Sequence, residues 1–176
     1  MTELIVVDQK DNQIGTEEKL SVHQKGQLHR AFSILIFNSQ GEMLLQKRAS
    51  SKYHSGGLWT NACCSHPRAG EDLLSSANIR LKEEMGFTAE LKEVFSFIYM
   101  VKLGDLFEHE FDHVFIGKFG KEPKPNQEEA EDWKWIKIND LKKDILEHPD
   151  NYTYWFKLIL NNDKMEGIIK GQIINQ

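Results

Sequence analysis

The chain has 176 residues, of which 40% are hydrophobic and 28% charged, with a formal net charge of −5. This is the make-up of an ordinary globular protein, and residues 1–176 are expected to form a single domain able to bury roughly two-thirds of its unfolded surface. No apolar run approaches the roughly 20 residues of a membrane span, the net acidity speaks against broad nucleic-acid binding, and the two cysteines are sequence neighbours, which fits a disulfide badly.

The N-terminus Met1-Thr2-Glu3-Leu4 lacks the basic start and long apolar core of a signal peptide, so a cytoplasmic protein with free thiols is expected. Leu4 to Asp8 reads as a strand and Asp11 to Gly15 as the turn after it. The segment around His23 reads as a linker. Ala31 to Phe37 and Met43 to Lys47 are apolar runs joined by Asn38-Ser39-Gln40-Gly41, a hairpin signal. Residues 49–59 carry Ser50, Ser51, Ser55, Gly56 and Gly57 and read as a functional loop.

Asn61 to Pro67 reads as extended, which would put Cys64 and His66, two positions apart, on one face and Cys63 on the other. From Glu71 to Met85 the apolar positions follow helical spacing, and Gly86 sits where a C-cap belongs. On that helix Arg80 and Glu84 share a face, and by themselves they read as an exposed i,i+4 ion pair worth ~0.3–0.5 kcal/mol. Leu91 to Val101 and Phe107 to Phe119 read as long strands; alternation puts Glu108 and Glu110 together and His109 opposite. Pro123 and Pro125 mark a loop, Trp133 to Ile136 a further strand, and Ile138 to Glu147 and Tyr152 to Asn161 two helices. The tail from Asp163 is left open between helix and coil. Short strands mixed with three helices, without regular alternation, predict an α/β or α+β domain with a mixed β-sheet sandwiched by helices.

A thiol, an imidazole and two carboxylates aimed by strand alternation suit a metal site beside a proton-transfer site. Lys47, Arg48 and Lys52 form a local basic cluster for a small anion.

The window Ser65 to Phe87 resembles the Nudix box: Glu71, Leu81, Glu83, Glu84, Gly86 and Phe87 fit it, whereas Ser65, Ile79 and Arg80 depart from it. A positive charge at position 80 undermines the hydrolytic use of that box and suits gripping a diphosphate. The departures are similar to those of one branch of the superfamily, the type 1 isopentenyl-diphosphate isomerases, and the resemblance runs from about Lys19 to Trp155. It is carried by Thr60-Asn61-x-x-Cys64-Ser65-His66-Pro67, by Glu108-x-Glu110, and by His23 and His29.

The resemblance implies that His23, His29, His66, Glu108 and Glu110 hold one divalent ion (Mn²⁺, Zn²⁺ or Mg²⁺), with Cys64 and Glu110 catalytic and Tyr99 near the reacting carbon. It implies Trp155 as the ring facing a carbocation, which is worth up to ~2 kcal/mol or more when desolvated. Lys19, Arg48, Lys52 and Arg80 would grip a small-molecule diphosphate, and Glu84 would serve the Mg²⁺ bridging to it. The implied protein has neither nucleic-acid nor membrane partners and is a monomer or weak homodimer. Two other readings are weighed against this one. A Nudix diphosphohydrolase acting on nucleotide derivatives is suggested by the Glu-rich helix. A structural zinc module built on Cys64, His66 and another histidine lacks the paired cysteine spacing such sites use.

Overall fold

The computed structural model describes residues 3–52 and 54–174, with side chains described through residue 171. Its spine is β3 (His29–Phe37), which runs parallel to β8 (Leu106–Lys118) along its whole length, from His29 opposite Glu110 to Phe37 opposite Lys118. The other edge of β3 is divided among three strands. Val6 of β1 (Glu3–Val7) faces His29, β6 (Cys63–Ser65) pairs with Phe32, Ser33 and Ile34, and Met43 of β4 (Met43–Arg48) faces Phe37. The expected hairpin is thus present only at its tip. Beyond that point β4 leaves β3 and joins β5 (Trp59–Asn61) on one side and β9 (Ala130–Ile136) on the other. Antiparallel β7 (Lys92–Leu103) covers the far side of β8.

A parallel strand paired on both edges is buried on both faces, and β3 is apolar accordingly. Leu35 and Phe37 pack on one face with Leu141 of α3 (Ile138–Glu147), with Phe156 and Ile159 of α4 (Tyr154–Leu160), and with Met165 and Ile169 of α5 (Asp163–Ile174). On the other face Phe32, Ile34 and Ile36 pack against Ala77, Leu81 and Met85 of α2 (Leu73–Met85). The sheet is mixed and flanked by helices on both faces, as the sequence predicts. Asp72 caps the start of α2 by accepting from Ser75 N–H at 2.9 Å. Gly86 ends it at φ 80°, where a Cβ would come 2.5 Å from the Lys124 carbonyl oxygen.

Three expectations are corrected. Gln13 to Gly15, assigned to the turn, open β2 (Gln13–Glu18), antiparallel to β1. The segment read as a linker is a short helix, α1 (Lys19–Lys25), capped by the Glu18 side chain and by Gly26 at φ 64°. The C-terminal tail is α5, so the described residues hold five α-helices instead of three. No helix among the described residues is long and apolar enough to cross a membrane.

Candidate active site

Directly opposed residues of a ladder point to the same side of the sheet. His29 faces Glu110 and Glu110 faces Tyr99, so these three form a row across β3, β8 and β7. Glu108, two residues earlier on β8, shares that side. Ser33 faces Cys64, which brings the thiol to the same side four residues along β3. Cys63 turns the other way, into the cluster under α2, as alternation predicts.

One cavity of about 170 Å³ collects most of the expected site residues: Cys64 and Trp155 in its wall, Lys19, Arg48, Lys52 and Arg80 around it, and His66, Glu84, Glu108 and Glu110 among the rest. His23, His29 and Tyr99 lie outside its lining, and each contacts a residue that does line it. His23 Nε2 is 3.4 Å from Glu108 Oε1, His29 Nε2 is 3.2 Å from His66 Nε2, and Tyr99 Oη donates to Glu110 Oε2 at 2.7 Å.

His23, His29, His66 and Glu108 each offer a donor atom within 4.8 Å of the others. The backbone fixes the tautomers: His23 Nδ1–H donates to Lys19 O at 2.6 Å and His29 Nδ1–H to Gln27 O at 2.9 Å, which leaves each Nε2 as the inward lone pair. Burial lowers the His29 pKa to about 4, and burial together with the Lys19 charge drives that of His66 well down. Neutral imidazoles whose acceptor nitrogens converge on a carboxylate fit a divalent cation. Glu110 lies at the margin of this group, with Oε1 3.0 Å from His66 Nε2 and 3.7 Å from His29 Nε2. Burial, and then the neighbouring Glu108 charge, raise its pKa far above the carboxylate range. Burial also acts to raise Glu108, but the imidazoles of His23 and His54, 3.4 Å and 2.8 Å from its Oε1, outweigh it and hold its pKa well below the usual carboxylate range.

Cys64 lies outside the donor group. Its S–H points at Asn61 Oδ1, 2.8 Å away, while Trp155 Nε1–H donates to the sulfur at 3.0 Å. Burial, reinforced by nearby Asp112, pushes the thiol pKa up to about 12. Asp112 is buried on β8, accepts from Ser33 Oγ at 2.8 Å, and is itself raised to about 7 by burial.

At the opposite end of the cavity the carboxylates and cations interleave. Arg80 reaches Glu84 at 2.8 Å, Glu83 at 2.6 Å and Glu129 at 3.5 Å, and Lys52 pairs with Glu129. The Arg80–Glu84 pair is not the exposed surface pair that helical spacing alone suggests, because Glu84 is only 4% exposed. Glu84 also accepts from Gln46 at 2.9 Å. The Arg48 guanidinium stands 5.3 Å from the Trp155 ring centroid.

Among the titratable lining residues, sequence reasoning set aside His54 and passed over Glu129. His54 sits in a Gly/Ser-rich loop without periodicity, and Glu129 in an acidic run that reads as solvated. His109, by contrast, faces away and bonds Gly26 O at 2.9 Å, as alternation predicts, and His113 is engaged with Glu93 and Asp11 elsewhere.

Residues 27–156 match the NUDIX domain family, and that family defines the class of this fold and its Glu-bearing helix. Among solved structures, the DR0079 protein of Deinococcus radiodurans superposes with a TM-score of 0.70 at 16% identity, covering 83% of this chain and 90% of that one. A MutT protein of Methanosarcina mazei gives 0.62 at 19%, covering 82% and 94%. Sequence relatives are nearer. The isopentenyl-diphosphate Delta-isomerase 2 of Photorhabdus laumondii is 54% identical over 170 residues, 96% of each chain. The isopentenyl-diphosphate Delta-isomerase of Serratia proteamaculans is 54% identical over 160 residues, 90% of this chain and 89% of that one. The chain belongs to the isopentenyl-diphosphate Delta-isomerases of the NUDIX family.

Proposed function

We propose that the chain converts isopentenyl diphosphate to dimethylallyl diphosphate by adding a proton at the terminal carbon of a C=C bond and removing one from the allylic methylene. The observation that carries this reading is that the Cys64 thiol, kept protonated by burial, and the Glu110 carboxyl border one cavity. An unactivated alkene is a very poor base and needs a placed acid, and the tertiary cation that follows needs a base on its other side and no water. Cys64 and Glu110 fill those roles and exchange them between the two reaction directions. Tyr99 holds or passes the proton at Glu110 Oε2. Trp155, 4% exposed, closes the hydrocarbon end, where its ring lies against the cation.

His23, His29, His66, Glu108 and Glu110 hold one divalent ion (Mn²⁺, Zn²⁺ or Mg²⁺), which supplies positive charge that favours ionised Glu110. Lys19, Arg48, Lys52 and Arg80 take the diphosphate oxygens, with Lys52 and Arg80 exchanging Glu129 for phosphate, and Glu84 serves the accompanying Mg²⁺. The protein works in the cytoplasm as a monomer or weak homodimer, on a small diphosphate and without nucleic-acid or membrane partners.

Purified protein incubated with isopentenyl diphosphate and Mg²⁺ in D₂O is expected to yield dimethylallyl diphosphate carrying deuterium in a methyl group. Cys64→Ala and Glu110→Gln are expected to lose about 10²–10⁴-fold in turnover or more while keeping the parent's circular dichroism. Parent-like turnover in both variants removes this mechanism. Phosphate release from nucleoside diphosphate derivatives without isomer would favour the hydrolase reading, against which Arg80 stands at a box position otherwise filled by glutamate.

A further inference from the structure

The loop after β4 brings a fourth histidine to the site. Main-chain bonds close the base of this loop, Arg48 N–H to Leu58 O at 2.9 Å and Gly57 N–H to Arg48 O at 2.9 Å. Glu131 pins its middle by accepting from Ser50 N–H at 3.0 Å and Ser50 Oγ at 2.6 Å. The backbone turns through Ser55 at φ 52° and Gly57 at φ 75°, and a Cβ on the intervening Gly56 would lie 2.7 Å from Ser50 O. A left-handed serine costs free energy that such a tightly tied loop can sustain, and outliers of this kind mark places where a side chain is being aimed.

The side chain presented here is His54. Its Nε2 is 2.8 Å from Glu108 Oε1, with the imidazole 12% exposed and the carboxylate 4%. The Trp155 ring meets it edge-on at a centroid distance of 6.0 Å. His54 is not one of the four converging donors; it approaches one of them from the loop side.

We propose that His54 is a positioning residue for the metal cluster: its Nε2, 2.8 Å from Glu108 Oε1, supplies the N–H that holds this carboxylate toward His23, His29 and His66 when the ion is bound. Backbone carbonyls do this for His23 and His29 through their Nδ1–H groups. Glu108, on a flexible three-torsion stem, meets no such backbone partner among the described residues, and His54 takes that part. Outer partners of this kind set ligand orientation, and their loss typically weakens metal binding about 10–100-fold.

The inference rests on the metal reading above, and the test separates the two. Chelator-stripped protein is titrated with Mn²⁺ alone, free ion being followed by electron paramagnetic resonance. The parent is expected to bind Mn²⁺ at one site, His54→Ala about 10–100-fold more weakly, and His54→Gln, which keeps an N–H donor, close to the parent. Pulsed resonance on the loaded proteins is expected to count the same three coordinated imidazoles with and without His54. Equal affinity in His54→Ala overturns the proposal. So does a drop in the imidazole count, which would make His54 itself a ligand. A parent that takes up no Mn²⁺ removes the metal reading and this inference together. Circular dichroism of the stripped proteins reports folding, and His54→Gln decides the matter if the alanine variant does not fold: weakened binding there overturns the donor role.

Discussion

The Asn61 carboxamide meets the Cys64 sulfur at 2.8 Å through its oxygen, while its nitrogen donates to Ile34 O at 3.1 Å and to Cys63 O at 2.8 Å. The two carbonyls decide which end of the amide faces the thiol, so the S–H proton has a fixed direction. Truncation strands buried polar groups, each costing about 1–3 kcal/mol. Asn61→Ala is therefore expected to lose roughly 3 kcal/mol or more in urea unfolding, and a parent-like midpoint would refute that account.

Tyr99→Phe removes one oxygen and little volume, leaving Glu110 Oε2 without the 2.7 Å bond. Turnover on isopentenyl diphosphate should fall by about 10–100-fold, below the full value of a general acid or base, with KM nearly unchanged. Steady-state kinetics check this, and a change confined to KM would place Tyr99 in binding.

Chelation should destabilise the protein as well as silence it. An ion that binds only the folded chain adds about 2.7 kcal/mol at one hundred times its Kd, which is on the order of 5–10 °C in Tm for a chain of this size. Stripping with a chelator should lower Tm by that amount, and added Mn²⁺ or Zn²⁺ should restore it. An unchanged Tm would argue against a cation at the histidine cluster.

Asp72 gives a pH signature away from the site. The backbone N–H and hydroxyl of Ser75 lower its folded pKa below the usual 3.8, so its cap is fully effective above that value and is lost as pH falls through the folded pKa. Asp72→Ala should unfold at lower urea than the parent at pH 7, and the gap should close below about pH 4. A gap independent of pH would mean that the carboxylate charge plays no part.

Part of the site was legible in the sequence because strand alternation is local: Glu108 and Glu110 share a face, and Cys63 and His109 turn away, as spacing alone predicts, whereas the meeting of Cys64 with Glu110 in one cavity was implied only by the family resemblance. Short or polar elements were not legible. α1 has only seven residues, too few for periodicity, and β2 is an edge strand exposed or half-exposed throughout. The parallel pairing of β3 with β8, which aligns His29 with Glu110, joins segments far apart in sequence and leaves no local trace. His54 was invisible for a different reason. The loop that delivers it is shaped by Glu131 and two left-handed residues, and no residue pattern announces that it folds back over the carboxylates.

The donors of the histidine cluster do not share one mechanical footing. His29, Glu108 and Glu110 stand on β3 and β8, central strands whose amides should exchange with solvent only when the whole molecule opens. His23 stands on a helix of seven residues, and His54, which backs the cluster without being one of its donors, on a surface loop; both can part from the sheet at far smaller free-energy cost. Ion entry and escape should therefore run through α1 and the 49–57 loop, with the strands serving as an immobile floor.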